Sequence, residues 1–373
     1  MPVGPPPERL ARDLATLYAE AELALLRATA DAVHRGATVD VDDLAAQSRE
    51  ANRLRRQAAR IADRLDARAR PAGDAAVSAA AAYGDRRAAA DLRRLLGGAA
   101  DQYTTPLDRG PIDQIARSLN DRMTPVHRSV TRAVDDVYAQ VMARSAVPTF
   151  AAPERRVDVA QRALDRFARR GITGFVDRAG RNWDLTTYAE MASRSVTARA
   201  ATAAGTARMQ AAGIDFVQVS AHQAACDLCG PWEGTILAAS GSHPPGRVQV
   251  RSLTSDEWIT IDVAGGLDDA TAAGFQHPNC RHSVSAYLPG ASRVATPPDP
   301  DPRRAEKYAD TQHHRYLERQ VRAAKRREAV AMTDAARKEA RRAVRAAQGR
   351  IREHVKRTGA PRQPNREQIH RAR

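Results

Sequence analysis

The sequence predicts a mainly α-helical protein carrying one small β-containing module. Three observations predict it. Alanine and arginine dominate a chain with only 4% aromatic residues, and both are strong helix formers whose small or solvated side chains bury little area per residue. Apolar residues recur at three- and four-residue spacing over most of the 373 residues. Strand-like alternation is confined to one region, leading into and between two cysteine-bearing turns.

The first helix begins after the proline run Pro5-Pro6-Pro7, with Leu10, Leu14, Leu17, Ala21, Ala24 and Ala28 on one stripe. A second stripe, Leu54, Ala58, Ile61 and Leu65, implies an antiparallel partner for it. Pro71-Ala72-Gly73 is expected to stop that second helix, and Gly97-Gly98, Pro106 and Gly110-Pro111 to close an N-terminal helical region over 1–105. A middle helical region over 106–214 follows, broken at Pro148 to Pro153 and at Gly171 to Gly180. Val157, Ala160, Leu164 and Phe167 give it one helical face, and Trp183, Tyr188 and Met191 read as core anchors. It shows no Ser/His/Asp triad motif and no glycine-rich phosphate loop.

Residues 215–290 read as a small α+β module. Asp215 to Ser220 alternates like a strand, and Arg247–Arg251 with Trp258–Val263 form a predicted hairpin. The module holds all three cysteines of the chain. Cys226-Asp-Leu-Cys229 is followed after 47 residues by His277-Pro-Asn-Cys280-Arg-His282. Two residues between ligands let a tight turn aim both side chains at one ion, so C-x-x-C with H-x-x-C matches a tetrahedral structural Zn²⁺ held by Cys226, Cys229, His277 and Cys280. His282 is an alternative ligand and His222 ranks behind it. C-x-x-C alone also fits a redox dithiol or plain packing, but a redox pair does not account for His277. A catalytic zinc keeps an open position with a carboxylate base nearby. Asp227 and Glu233 are near in sequence, and as turn carboxylates they are expected to be solvated.

Residues 291–302 are a Pro-rich linker, Thr296-Pro-Pro-Asp-Pro-Asp-Pro302 at its heart. Beyond it lies a basic helical tail over 303–373. Residues 301–373 hold 22 Lys+Arg against 9 Asp+Glu, and so carry nearly all of the chain's net charge of +15. The bases cluster as Arg322, Lys325, Arg326 and Arg327, then Arg337, Lys338, Arg341, Arg342 and Arg345. Two readings stay open: a helix packed on protein with a solvated face, or one that also contacts DNA non-specifically. No run of eighteen apolar residues occurs, so no membrane span is expected. The N-terminus lacks the pattern of a secretory signal, and an odd count of cysteines is expected in a reducing cytoplasm.

Several separate stretches resemble a known family. Ser220-Ala-His222, Trp232-Glu-Gly234, Asn279-Cys-Arg-His282 and Pro289-Gly290 are similar to the S-x-H, W-x-G, N-C-R-H and P-G series of the phage minor capsid protein 2 family, a relative of Mu F-like head morphogenesis proteins. Ala163–Phe167, Gly171–Phe175 and Tyr188–Arg194 resemble the family's middle segment, and Leu317–Arg322 and Thr358–Gln363 its C-terminal part. The C-x-x-C form resembles the Mu F-like branch, whereas many minor capsid members carry Arg and His at those positions. The resemblance implies a non-enzymatic minor structural protein of a tailed bacteriophage, acting in head assembly at or near the portal. It implies the portal, the major capsid protein or its scaffold, and packaged DNA as partners, with the virion as location after assembly in the host cytoplasm. The competing classes are a metal-dependent nuclease or hydrolase acting on DNA, and a zinc-ribbon DNA-binding protein.

Overall fold

The computed structural model describes residues 5–39, 43–98, 100, 107–146, 153–173, 175–176, 180, 182–278, 280–293 and 302–369. Among them the fold is mainly α, as the composition predicts. The helices are α1 (Pro7–Thr38), α2 (Leu44–Leu96), α3 (Gly110–Ala146), α4 (Pro153–Arg170), α5 (Leu185–Ala211), α6 (Leu267–Ala272), α7 (Arg304–Ala329) and α8 (Asp334–Thr358). The strands are β1 (Phe175–Val176), β2 (Asn182–Trp183), β3 (Phe216–Val219), β4 (Ile236–Ala238), β5 (Gly246–Arg251), β6 (Trp258–Gly266) and β7 (Val284–Ala286). Most of the predicted linker, residues 294–301, lies outside the described residues.

The chain forms two compact units built from interleaved stretches. The first comprises residues 1–13, 72–120 and 191–311, the second residues 14–71, 121–190 and 312–373.

In the second unit, α1 and the first part of α2 run antiparallel, as the ion pairs Arg35–Glu50 (2.7 Å) and Arg68–Glu20 (3.6 Å) record. The segment of α3 after residue 120 runs back along α2 through Arg55–Asp135 (2.7 Å) and His127–Asp66 (2.7 Å). The predicted stripe on α2 is buried in full, at Leu54, Ala58, Ile61 and Leu65. That on α1 is too narrow. Leu17 and Ala24 are only half-buried, while Tyr18, Leu25, Leu26 and even Glu22 are buried, because α1 is covered on more than one side. α7 and α8 fold back on each other across Val330–Thr333, tied by Arg341–Glu328 (2.9 Å) and Arg327–Glu339 (2.9 Å). Thr333 caps α8 by accepting from Ala336 N–H, and Gly359, at φ 68°, ends it.

Two expectations are corrected. Pro71 does not stop α2, which continues to Leu96. A proline inside a helix loses one hydrogen bond and strains the preceding turn, at about 3 kcal/mol. Buried stripes on both sides, Leu65 and Ala69 before it and Val77, Ala80 and Ala81 after it, hold the helix through that defect. Trp183, Tyr188 and Met191 are half-buried instead of core. The buried face at the start of α5 is Leu185, Ala189, Ala192 and Val196, so alanine marks the interior where larger side chains do not.

The first unit holds a five-stranded sheet of order β5-β6-β4-β3-β7, antiparallel except for the β4–β6 pair. The predicted hairpin is β5–β6, with Arg251 opposite Trp258. One face of the sheet, through Val217, Val219 and Leu237, shares a core with Ala88 and Leu92 of α2 and Met209 of α5. The other face, through Phe216, Ile236 and Ala238, packs with Val250, Ile261, Val263 and Tyr287. The helices under the sheet approach closely, since a Cβ on Gly84 would sit 1.9 Å from the Ala201 carbonyl oxygen. The sheet is therefore not a module held only by its knuckles.

Candidate metal centre

The two knuckles meet because β3 and β7 are neighbours. Val219 lies opposite Val284 in antiparallel register. Beyond that pair, Ser220 N–H donates to Ser283 O (2.9 Å) and Ser283 N–H to Ser220 Oγ (2.9 Å). The chain leaving β3 and the chain entering β7 are thus fixed side by side, which closes the 47-residue gap. Each knuckle is a hydrogen-bonded turn. Cys229 N–H and Gly230 N–H both donate to Cys226 O (3.2 and 2.8 Å), and Cys280 N–H donates to His277 O (2.9 Å).

All five sequence-predicted metal residues come together. Cys226 Sγ is 3.0 Å from His277 Nε2, Cys229 Sγ is 3.5 Å from Cys280 Sγ, and Cys280 Sγ is 3.4 Å from His282 Nδ1. The donor atoms of Cys226, Cys229 and His277 lie within 4.8 Å of one another, and so do those of Cys229, Cys280 and His282. Two ligands about 2.3 Å from one ion at the tetrahedral angle stand roughly 3.8 Å apart, so these donors are close enough to share a metal. Cys229 belongs to both triplets and is buried. His277 Nδ1 lies 2.9 Å from Pro278 O, which fixes the ring with Nε2 toward the sulfurs. His222 stands apart: its Nδ1 accepts from Ala224 N–H (3.1 Å), and its ring sits edge-on to His282 at 6.2 Å.

Glu233 overturns the expectation of a solvated turn carboxylate. It is 5% exposed and accepts three donors. His282 Nε2 lies 2.8 Å from Oε1, His222 N–H 2.5 Å from the same oxygen, and Arg304 Nη2 3.0 Å from Oε2. Asp227 is exposed, as expected. Arg304, at the start of α7, was not singled out by any sequence signal of its own. Its Nε also donates to Ala225 O (3.3 Å), and Gly230 makes room for it, since a Cβ there would fall 2.0 Å from the guanidinium. The glycine of Gly230-Pro-Trp-Glu-Gly234 was the trace that could have found it. Glu233 in turn orients His282 so that Nδ1 faces Cys280, the carboxylate–histidine arrangement that commonly supports a metal ligand. A cavity of about 150 Å³ is lined in part by Cys280 and His282.

The groups of the cluster shift one another's proton affinity. Hydrogen bonding toward Cys229 holds His277 above the ordinary imidazole range, against the burial that lowers it. Cys280 is lowered by its hydrogen bond with Cys229, with burial opposing and the His282 N–H assisting. Burial pulls His282 down, but the Cys229 sulfur and the Glu233 carboxylate outweigh it and leave it raised.

A model of the phage minor capsid protein 2 family matches residues 7–356. The chain belongs to that family. No curated protein and no solved structure matches the chain. The match to the phage capsid family covers residues of both units, and membership makes this a phage structural protein. No helix among the described residues is long and apolar enough to cross a membrane.

The basic residues predicted for this phage protein separate into two environments. Arg322, Arg326 and Arg327 are buried within the second unit. Arg322 Nη1 donates to Arg366 O (2.6 Å), and burial lowers its pKa. Arg326 Nε and Nη2 donate to the last carbonyls of α4, Ala168 O (2.9 Å) and Arg169 O (3.1 Å), while Nη1 faces Glu22 Oε2 at 3.5 Å. Arg327 pairs with Asp165 (2.7 Å) and Glu339 (2.9 Å). Lys325 donates to Gln368 Oε1 (2.7 Å), and burial lowers it too. These four side chains are occupied by their own unit. Arg337, Lys338, Arg341, Arg342 and Arg345 on α8 are exposed.

Proposed function

We propose that this minor capsid protein acts without enzymatic activity in head morphogenesis, at or near the portal vertex, and that its knuckles hold one structural Zn²⁺. The observation that carries the reading is the donor set itself. Five nitrogen and sulfur donors converge where two strands of one sheet meet, and the buried carboxylate beside them, Glu233, is already engaged by His282, the His222 amide and Arg304. Such a site closes a metal and cross-links a fold. A hydrolytic site needs an open coordination position and a base free to take a proton. The likeness of the knuckle motifs to Mu F-like head morphogenesis proteins supports a place in the head, with the portal, the major capsid protein or its scaffold as neighbours. Cys226, Cys229 and Cys280 would supply three ligands, and His277 or His282 the fourth.

Mass spectrometry of purified heads tests the structural role. The chain is expected there in few copies, cross-linked to portal or shell proteins, and deletion of its gene is expected to leave few DNA-filled heads. A full yield of infectious particles without the gene would overturn the reading. The hydrolase reading is favoured by one observation, Glu233 standing 2.8 Å from a candidate ligand. It predicts plasmid nicking by zinc-loaded protein that disappears in Glu233→Gln, whereas the structural reading predicts none.

A further inference from the structure

The outer face of α8 carries a stripe that the sequence clusters conceal. Lys338, Arg342, Arg345, Arg352 and Lys356 follow one another at four, three, seven and four residues, with Gly349 filling the one gap. At 100° per residue these positions all fall within about 40° of one line. Ala340, Ala347, Ile351 and His354, the buried residues of α8, fall on the opposite side. The five bases are exposed, and among the described residues none has an acidic partner. Their neighbours differ: Arg337 is held by Asp334 (3.2 Å) and Arg341 by Glu328 (2.9 Å).

We propose that this stripe is a docking face for the phosphate backbone of duplex DNA. It extends from Lys338 to Lys356, about 27 Å of helix. That length runs alongside roughly eight phosphates of each strand. Protein partners dock on faces with apolar anchors at their centre and few lysines. Here the central line holds only lysine, arginine and glycine. It holds no Asn or Gln for reading bases either, so the contact is with the backbone and independent of sequence. Gly349 fits this use. A helix-interior glycine costs about 1 kcal/mol relative to alanine, and a Cβ there would meet nothing closer than the Arg352 guanidinium at 3.8 Å. No packing within the unit demands it, while a missing side chain midway along the stripe lets a phosphate backbone approach. The choice of DNA over other polyanions rests on the phage-particle reading above.

The test is fluorescence anisotropy of the full chain with two 30-base-pair duplexes of unrelated sequence. Both duplexes are expected to bind within about twofold of each other, with log K falling against log salt at a slope of roughly 3 to 4.5, or 0.9 per phosphate neutralised. Changing all five stripe residues to Gln is expected to weaken binding by roughly 100-fold at low salt and remove most of that slope. Arg337→Gln with Arg341→Gln, changing bases already paired, is expected to leave affinity within about threefold, with circular dichroism confirming both folds. Unchanged affinity in the five-residue variant would overturn the proposal, as would wild-type protein that binds no duplex at low salt. Poly-glutamate competing as well as DNA at equal charge would reassign the stripe to an acidic protein and also overturn it. Recovery of the variant in purified heads is scored separately, so failure of the DNA proposal and failure of the structural reading give different results.

Discussion

The first unit gathers three cysteines and two histidines into one cluster, whereas the second buries guanidinium and carboxylate matched to each other. In the second unit Glu22 is buried against Arg326, and also accepts from Thr186 Oγ1 (2.6 Å) and Ile172 N–H (2.9 Å). Burial still raises its pKa, with Arg326 opposing. Glu318 is raised by burial in the same way, against Arg366 and Arg322. In the first unit Glu233 pairs with Arg304 (3.0 Å) beside the three cysteines and two histidines whose donor atoms could hold a metal. An aromatic-poor chain thus fixes its interior by polar matching in the second unit, and in the first brings cysteine and histidine donors close enough to hold a metal.

The largest effect separates the two directly. Cys280→Ser, or prolonged chelation, is expected to release zinc and destabilise the first unit by on the order of 5 kcal/mol or more, a fall in Tm of roughly 10–20 °C. Elemental analysis with calorimetry checks it. An equal Tm with and without metal would make the first unit as self-sufficient as the second.

Next in size is the buried pair of the second unit. Arg326→Met leaves Glu22 buried and uncompensated, and is expected to cost about 3–5 kcal/mol without touching zinc content. Adding Glu22→Gln is expected to recover part of that loss, because the stranded charge is gone. Denaturant titration of both variants decides, and no recovery in the double variant would show that Arg326 matters only through the Ala168 and Arg169 carbonyls. Gly171 sets how tightly this centre is made: at φ 76°, with a Cβ placed 2.4 Å from Glu22 Oε1, it leaves no room for another residue.

A smaller effect probes the support of the metal ligands. Glu233→Gln keeps the shape of the side chain but removes its charge, and is expected to weaken zinc binding by about 10- to 100-fold in a competition with a chromogenic chelator. Unchanged affinity would assign the fourth ligand to His277, whose ring is held by a backbone carbonyl instead.

The smallest effect is a pH dependence in the second unit. His127 is buried, with Nδ1 2.7 Å from Asp66 and Nε2 3.1 Å from Tyr18 Oη. Burial lowers its pKa below the ordinary 6.5, and Asp66 only partly opposes this. A depressed imidazole contributes stability that is complete above the unfolded value and is lost as pH falls through the folded one. Tm is therefore expected to decline as pH drops below about 6.5, with His127→Gln flattening that part of the curve. A wild-type profile flat across that range would remove His127 as the cause.

Much of this was legible because it depends on local spacing. The two knuckles, the β5–β6 hairpin and the α2 stripe at Leu54 to Leu65 are periodic or closely spaced features. What was not legible depends on partners distant in sequence. Nothing near Glu233 announces that Arg304 will neutralise it from 71 residues away. Nor does the cluster Arg322 to Arg327 reveal that Glu22 and Asp165 wait for two of its members. Sequence clustering also misleads on a helix, where Arg341 and Arg342 are adjacent yet only Arg342 belongs to the outer stripe. Pro71 failed as a stop signal because its cost is local, and the buried residues on either side outweigh it.

The interleaving of the two units sets an order of events during synthesis. The last stretch of the first unit ends at residue 311, while the second unit still lacks residues 312–373. At roughly 5–20 residues per second, about 3–12 s separate the emergence of the two final segments. The sheet, both knuckles and Arg304 can therefore assemble while Glu22 and Asp165 still wait for the arginines of α7. The bases of the α8 stripe follow later still, after the sheet and both knuckles of the first unit and after the arginines of α7.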